Sequence, residues 1–265
     1  MRTFNKLFVA GWLLAGSIHG SANLLETAAV ACPLATALSF NGTGLGEGTI
    51  GLAHTNAAFD PYMQRPSIAF GNGTFVAVDG HNYVLTSLDA TAWRRRDAGT
   101  AFALYDLAFG HGLFVAVGNE GAILISPDGV NWTMQKSDTD DRLRGVAWGN
   151  GRFVAVGYSG SVVTSKDAVR WTKQYCDTEE RLQAIAFGHG VFVAVGWHGE
   201  IVSSSKGYFW RRRKSGASGH LLKVAYVDGV FVATGASHAL LISQNGSRWM
   251  RWDWEANVEV ARGPL

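Results

Sequence analysis

Several things are scarce in this 265-residue chain, and each scarcity removes a class of protein. There are only two cysteines, Cys32 and Cys176, so no disulfide framework holds the fold. Neither has a neighbour at the spacing of a zinc site. Charged residues make up 17%, and the formal net charge of +2 is too mild to imply nucleic acid. Long apolar runs are missing except near the start, where Leu7 to Ile18 follow Arg2 and Lys6. That stretch is short for a bilayer span, and Gly20-Ser21-Ala22 offers small residues for a signal peptidase. The expectation is a cleaved signal over residues 1–22 and a secreted or periplasmic, envelope-facing protein with no membrane span afterwards. A retained anchor is the competing reading. Ala29-Val30-Ala31-Cys32 lacks the leucine of a lipoprotein box and sits far from the start, which counts against a lipid anchor at Cys32.

Enzyme signatures are also missing. The chain has no phosphate-binding glycine loop, no His-Glu-x-x-His, no Gly-x-Ser-x-Gly and no Cys-x-x-Cys. No cofactor or metal is expected. Helical periodicity is absent too, since every apolar run is short and bounded by glycine.

What is abundant is glycine, 33 residues of it, and tryptophan, ten residues. Both recur at a fixed step. Phe70, Phe109, Trp148, Phe187 and Tyr226 are each 39 residues apart, as are Phe75, Phe114, Phe153, Phe192 and Phe231. Ser87, Ser126, Ser165, Ser204 and Ser243 keep the step, and so do Trp93, Trp132, Trp171, Trp210 and Trp249. Each copy divides into four short strands joined by tight turns such as Asn72-Gly73 and His111-Gly112, whose residues tolerate positive φ. Four strands per 39 residues, repeated, predict an all-β propeller occupying 68–262 as one domain with a leader over 23–67. In the leader, Gly46 to Leu52 resemble the third strand of a worn blade, and Phe59 falls where Trp132 sits. Val258 to Ala261 predict one further strand. Six blades, the last a hybrid of both ends, is the favoured count, and five is the alternative.

The third hairpin carries Ser126, Asp128 and Trp132, echoed by Ser165, Asp167 and Trp171 and by Ser87, Asp89 and Trp93. Short Ser and Asp side chains accept backbone N–H bonds inside such a turn, and the indole covers it. This phrase resembles the Asp-box of BNR or sialidase-like propellers, one residue shorter than their usual pattern. The Gly-x-Phe-Val-Ala-Val-Gly run is similar to bacterial propellers of the photosystem II assembly-factor type. The resemblance implies a structural role for the turn. It does not imply sialidase activity, because Arg65-Pro66 is not the Arg-Ile-Pro phrase and no arginine trio stands out at inner positions. The fourth copy departs, with Lys206-Gly207 in place of the Asp-Gly turn.

Comparison among copies locates the candidate site. The turn between second and third strands varies most, and it places Tyr158, Trp197, His198, Glu120, His81 and His238 together on one face. Aromatics beside polar groups at loop tips suit a protein partner or a glycan. The expected function is a non-catalytic binding or assembly scaffold acting as a monomer, with no nucleic-acid partner. The alternative is a carbohydrate-active enzyme using Glu120 with Asp140 or Asp141, or a lectin. The acidic connections Asp138, Asp140, Asp141 and Asp177, Glu179, Glu180 read as solvated loops. The runs Arg94-Arg95-Arg96 and Arg211-Arg212-Arg213-Lys214 read as charged edges that block strand pairing.

Overall fold

The computed structural model describes residues 66–237, 239–253 and 258–260. The signal segment, the leader, Cys32 and His238 lie outside the described residues. Within them the chain forms five antiparallel sheets in sequence order. Blade one is β1 (Ser67–Gly71), β2 (Thr74–Val78), β3 (Tyr83–Ser87) and β4 (Arg94–Asp97). Blade two is β5 (Leu104–Gly110), β6 (Leu113–Gly118), β7 (Ile123–Ser126) and β8 (Thr133–Gln135). Blade three is β9 (Leu143–Gly149), β10 (Arg152–Gly157), β11 (Val162–Ser165) and β12 (Thr172–Gln174). Blade four is β13 (Leu182–Gly188), β14 (Val191–Gly196), β15 (Ile201–Ser204) and β16 (Arg211–Arg212). Blade five is β17 (Leu221–Val227), β18 (Val230–Gly235), β19 (Leu240–Ser243), β20 (Met250–Asp253) and β21 (Val258–Val260).

The strand expected at Val258 is there, but it pairs with β20 as a fifth strand on the outer edge of blade five. Among the described residues the C-terminal strand therefore widens blade five, and the five described sheets are consistent with a propeller of five or six blades. The leader's half-blade lies outside the described residues.

The first strand of each blade packs on the first strand of the next, so the inner strands converge on the axis. Registers repeat: Phe114 faces Ser126 across its strand pair, Phe153 faces Ser165, and Phe192 faces Ser204. Each phenylalanine is fully buried and joins a cluster containing residues of the preceding blade. Glycine explains how neighbouring blades approach. A Cβ at Gly71 would enter the Phe109 ring, one at Gly110 the Trp148 ring, one at Gly149 the Phe187 ring and one at Gly188 the Tyr226 ring. The aromatic column therefore lies on the glycine column of the blade before it.

The Ser–Asp turns form as the side chains require. The Asp128 carboxylate accepts the Val130 and Asn131 amides at 2.8 Å each, Ser126 Oγ donates to it at 2.9 Å, and Trp132 Nε1 donates to Gly129 O at 3.0 Å. Asp89 and Asp167 repeat the pattern beneath Trp93 and Trp171. Backbone amide donors hold all three carboxyls well below their ordinary range. In blade four, which has Lys206 in this turn, Ser204 Oγ and the Trp210 indole still close the loop. The serine and tryptophan are thus sufficient, and the aspartate is an addition.

Candidate functional site

The variable turns are single 3₁₀ turns at Asn119–Gly121, Tyr158–Gly160 and Trp197–Gly199. Their middle residues Glu120, Ser159 and His198 all sit at positive φ, which projects them as tips. Each turn is pinned to the segment entering its own blade. Asn119 N–H donates to Ala103 O, Tyr158 N–H to Arg142 O, Trp197 N–H to Arg181 O and Ala236 N–H to His220 O. The turn residue and the entry residue therefore stand side by side in blades two to five. In blades three to five the entry residues are Arg142, Arg181 and His220.

That pairing builds a ladder across blades two to five. The Tyr105 hydroxyl donates to Asn119 Oδ1 at 2.8 Å, and the Arg144 guanidinium lies 4.4 Å from the Tyr105 ring centre. Arg142 approaches Tyr105 at 5.7 Å and Tyr158 at 5.2 Å. Arg181 lies 4.6 Å from Tyr158 and 4.2 Å from Trp197. The Trp197 ring then stacks on His220 at 4.5 Å. Cation–π contacts of this length contribute up to about 1–2 kcal/mol each when partly desolvated. Burial pushes the Arg144 pKa down, although a guanidinium stays charged in proteins. Arg144 is oriented by donating to Gln183 Oε1 at 3.1 Å.

At the blade-four end, His198 Nδ1 meets Glu180 Oε2 at 2.9 Å, and the His198 N–H donates to His220 Nδ1 at 3.1 Å. Of the six residues expected from sequence, Tyr158, Trp197 and His198 are thus brought together. Glu120 stands exposed at the blade-two tip. His81 is held in a separate group, bonded to Asp79 at 2.8 Å and stacked on Tyr83 at 5.0 Å. The sequence reading did not name Tyr105, Arg142, Arg144, Arg181 or His220, which the structure places beside Tyr158 and Trp197. The signal was available, because columns 103/142/181/220 and 105/144/183/222 vary as freely as the turns do.

The acidic connections are less free than expected. Asp141 accepts from Ser161 Oγ at 2.5 Å and from Thr139 Oγ1 at 3.2 Å, with Lys173 at 3.6 Å. Burial alone would raise its carboxyl, but these hydroxyls and the Lys173 charge outweigh it and the net shift is downward. Glycoside hydrolysis needs one carboxyl with a raised pKa, so Asp141 points the other way. Asp106 is the carboxyl that burial does raise, yet both its oxygens are bonded, one to Ser67 Oγ at 2.5 Å and one to Val146 N–H at 2.8 Å. The basic runs are partly engaged within their own blades. Arg212 pairs with Glu200 through two bonds of 2.9 and 2.7 Å, Arg213 reaches Ser203, and Arg95 covers Tyr83 at 4.0 Å.

No family model and no curated protein match this chain. Its likeness to solved structures is at the level of fold. The structure of YCF48 bound to D1 peptide superposes with a TM-score of 0.55 at 20% identity, covering 73% of this chain and 67% of that one. The computationally designed Ika8 protein gives 0.55 at 13% identity over 70% of this chain and 61% of its own. YCF48 from Cyanidioschyzon merolae gives 0.44 at 15% identity over 76% and 88%.

Proposed function

We propose that this propeller is a non-catalytic scaffold that captures a carboxylate-bearing segment of a protein partner on the ladder Tyr105–Arg144–Arg142–Tyr158–Arg181–Trp197. The observation that carries it is the use of guanidinium faces. Arg142 and Arg181 are each flanked by two aromatic rings of the ladder, which orders their side chains and leaves N–H donors at the guanidinium edge for a carboxylate. Bracing also removes much of the entropy cost of binding, since the long side chains are already ordered. The fold is shared with a protein whose structure holds a bound peptide, which supports a protein partner over a small solute. A lectin reading is weaker, because the faces that would stack on sugar are taken up by guanidinium and imidazole groups. Export to the periplasm or cell exterior, read from residues 1–22, belongs to the same proposal.

The test is titration of a labelled glutamate-rich peptide into the chain and into Arg142→Ala and Arg181→Ala. Binding to the unmodified chain, weakened about tenfold or more in each variant and steeply salt-dependent, is the expected result. Equal affinity in all three proteins would place the ligand elsewhere.

A further inference from the structure

The turn between third and fourth strands occurs in all five blades, and blade four carries a different chemistry in it. In the other four, a single oxygen of Asp89, Asp128, Asp167 or Asn245 accepts two backbone amides, from the residues two and three places on, at 2.8–3.1 Å. The two N–H groups therefore converge on one point. Blade four keeps the shape of the turn. Gly207 has a φ of 77°, as Gly129 does, Ser204 Oγ accepts the Gly207 amide at 2.9 Å, and the Trp210 indole donates to Gly207 O at 3.0 Å. Its converging amides are those of Tyr208 and Phe209. The side chain at the position of the capping Asp or Asn is Lys206, which only donates. Among the described residues, neither amide has an acceptor.

The change is one of charge as well as of bonding. An ammonium stands where three sister blades have a carboxylate, and a second cation lies beside it. A Cβ on Gly207 would meet Arg152 Cδ of blade three at 3.0 Å, and the Arg152 guanidinium lies 5.0 Å from the Tyr208 ring centre. Asn150 holds the two turns together by donating to Ser205 O at 2.8 Å. Converging backbone amides reinforced by full positive charges are the donor set of an oxyanion site. Lys206 is exposed and Phe209 is 73% exposed, so the turn is accessible from solvent.

We propose that the blade-four turn binds a phosphate group, one of whose oxygens takes the place that an Asp or Asn oxygen fills in the sister blades. A carboxylate would have one oxygen left for two cations, whereas a phosphate has enough for both Lys206 and Arg152. Inorganic phosphate and the headgroup of an anionic phospholipid share this chemistry. The turn lies at the opposite end of its blade from the turns that carry Tyr158 and Trp197, so the site is separate from the arginine ladder.

The test follows the Tyr208 and Phe209 amide resonances of the isotope-labelled full chain by NMR at constant ionic strength. Both should shift and saturate with inorganic phosphate at a Kd of about 1–10 mM, and acetate should bind about tenfold more weakly. Lys206→Asp restores the turn of the sister blades, supplies its own oxygen and should abolish the response. Lys206→Ala keeps the amides but loses one charge, and should weaken binding several-fold. Sedimentation with phosphatidylglycerol or phosphatidylcholine vesicles separates the sources. Retention by the anionic vesicles alone, lost in Lys206→Asp and in Phe209→Ser, would assign the phosphate to a lipid headgroup, and an amide response without retention would assign the free anion. Amides that do not respond to phosphate, an equal response to acetate, or an undiminished response in Lys206→Asp would overturn the proposal.

Discussion

At the scale of single residues, several carboxylates among the described residues are committed to structure. Asp106 ties three blades together, accepting from Ser67 and from Val146 N–H while Ser67 Oγ accepts Leu107 N–H. Asp106→Ala leaves those partners unbonded and should cost about 1–3 kcal/mol in denaturant unfolding, whereas Asp106→Asn keeps an acceptor and should cost less. Burial raises the Asp106 carboxyl, so the folded state holds its proton more tightly than the unfolded chain does. Stability from this group therefore falls as pH rises from the ordinary value of 3.8 through the higher folded value, and Asn should abolish that slope. Asp128 has the opposite sign. Its folded pKa is depressed below 3.8, so its contribution is present above that pH and is lost as pH falls toward the folded value. Asp128→Ala should lower stability by about 1 kcal/mol at neutral pH, the low end expected for a solvent-screened carboxylate. Blade four, which holds this turn without any aspartate, sets the expectation that Asp128→Ala still folds. Burial, with the Glu200 and Asp177 charges, pushes the Cys176 thiol up to about 12, so iodoacetamide at mildly alkaline pH should modify it far more slowly than a free thiol.

At the scale of elements, the fold was legible because each strand is specified by what must touch it. The phenylalanine, serine and tryptophan columns reappear as buried clusters and closed turns, and the 39-residue step is the blade. The outer position of β21 was not legible, since an isolated Val-Glu-Val run carries no information about which edge it will extend. Tight turns carry the tips of the site, and their glycines differ in tolerance. Gly151 has positive φ with open space around it, whereas a Cβ on Gly160 would fall on the Thr178 carbonyl. Gly151→Ala should cost about 1–2 kcal/mol from backbone strain alone. Gly160→Ala should cost more, roughly 3 kcal/mol, and should also weaken peptide binding by shifting Tyr158. Thermal unfolding of the two variants side by side separates strain from collision.

At the scale of the whole molecule, the site is a property of the ring and of no single blade. Tyr105, Tyr158 and Trp197 come from three blades, and the arginines between them are aligned only because consecutive inner strands pack in register. This explains why sequence comparison named Tyr158, Trp197 and His198 but not the arginines between the rings. Turn tips such as Tyr158, Trp197 and His198 advertise themselves as aromatic insertions in a glycine-rich phrase. Arg142 and Arg181 look like ordinary loop charges until the Tyr158 N–H and Trp197 N–H bonds put them beside the rings. His81 was drawn into the prediction by its turn position, but Asp79 and Tyr83 hold it in a local group of its own.

The central claim is that a carboxylate meets the braced arginines directly, and a double-mutant cycle measures this. Affinities would be compared for the glutamate-rich peptide and its glutamine counterpart, each against the unmodified chain and Arg181→Ala. A coupling of about 1 kcal/mol or more, meaning that the arginine matters chiefly when the carboxylates are present, is the predicted result. Additive losses with no coupling would mean that Arg181 supports Trp197 and Tyr158 without touching the ligand, and the carboxylate-capture account would be wrong.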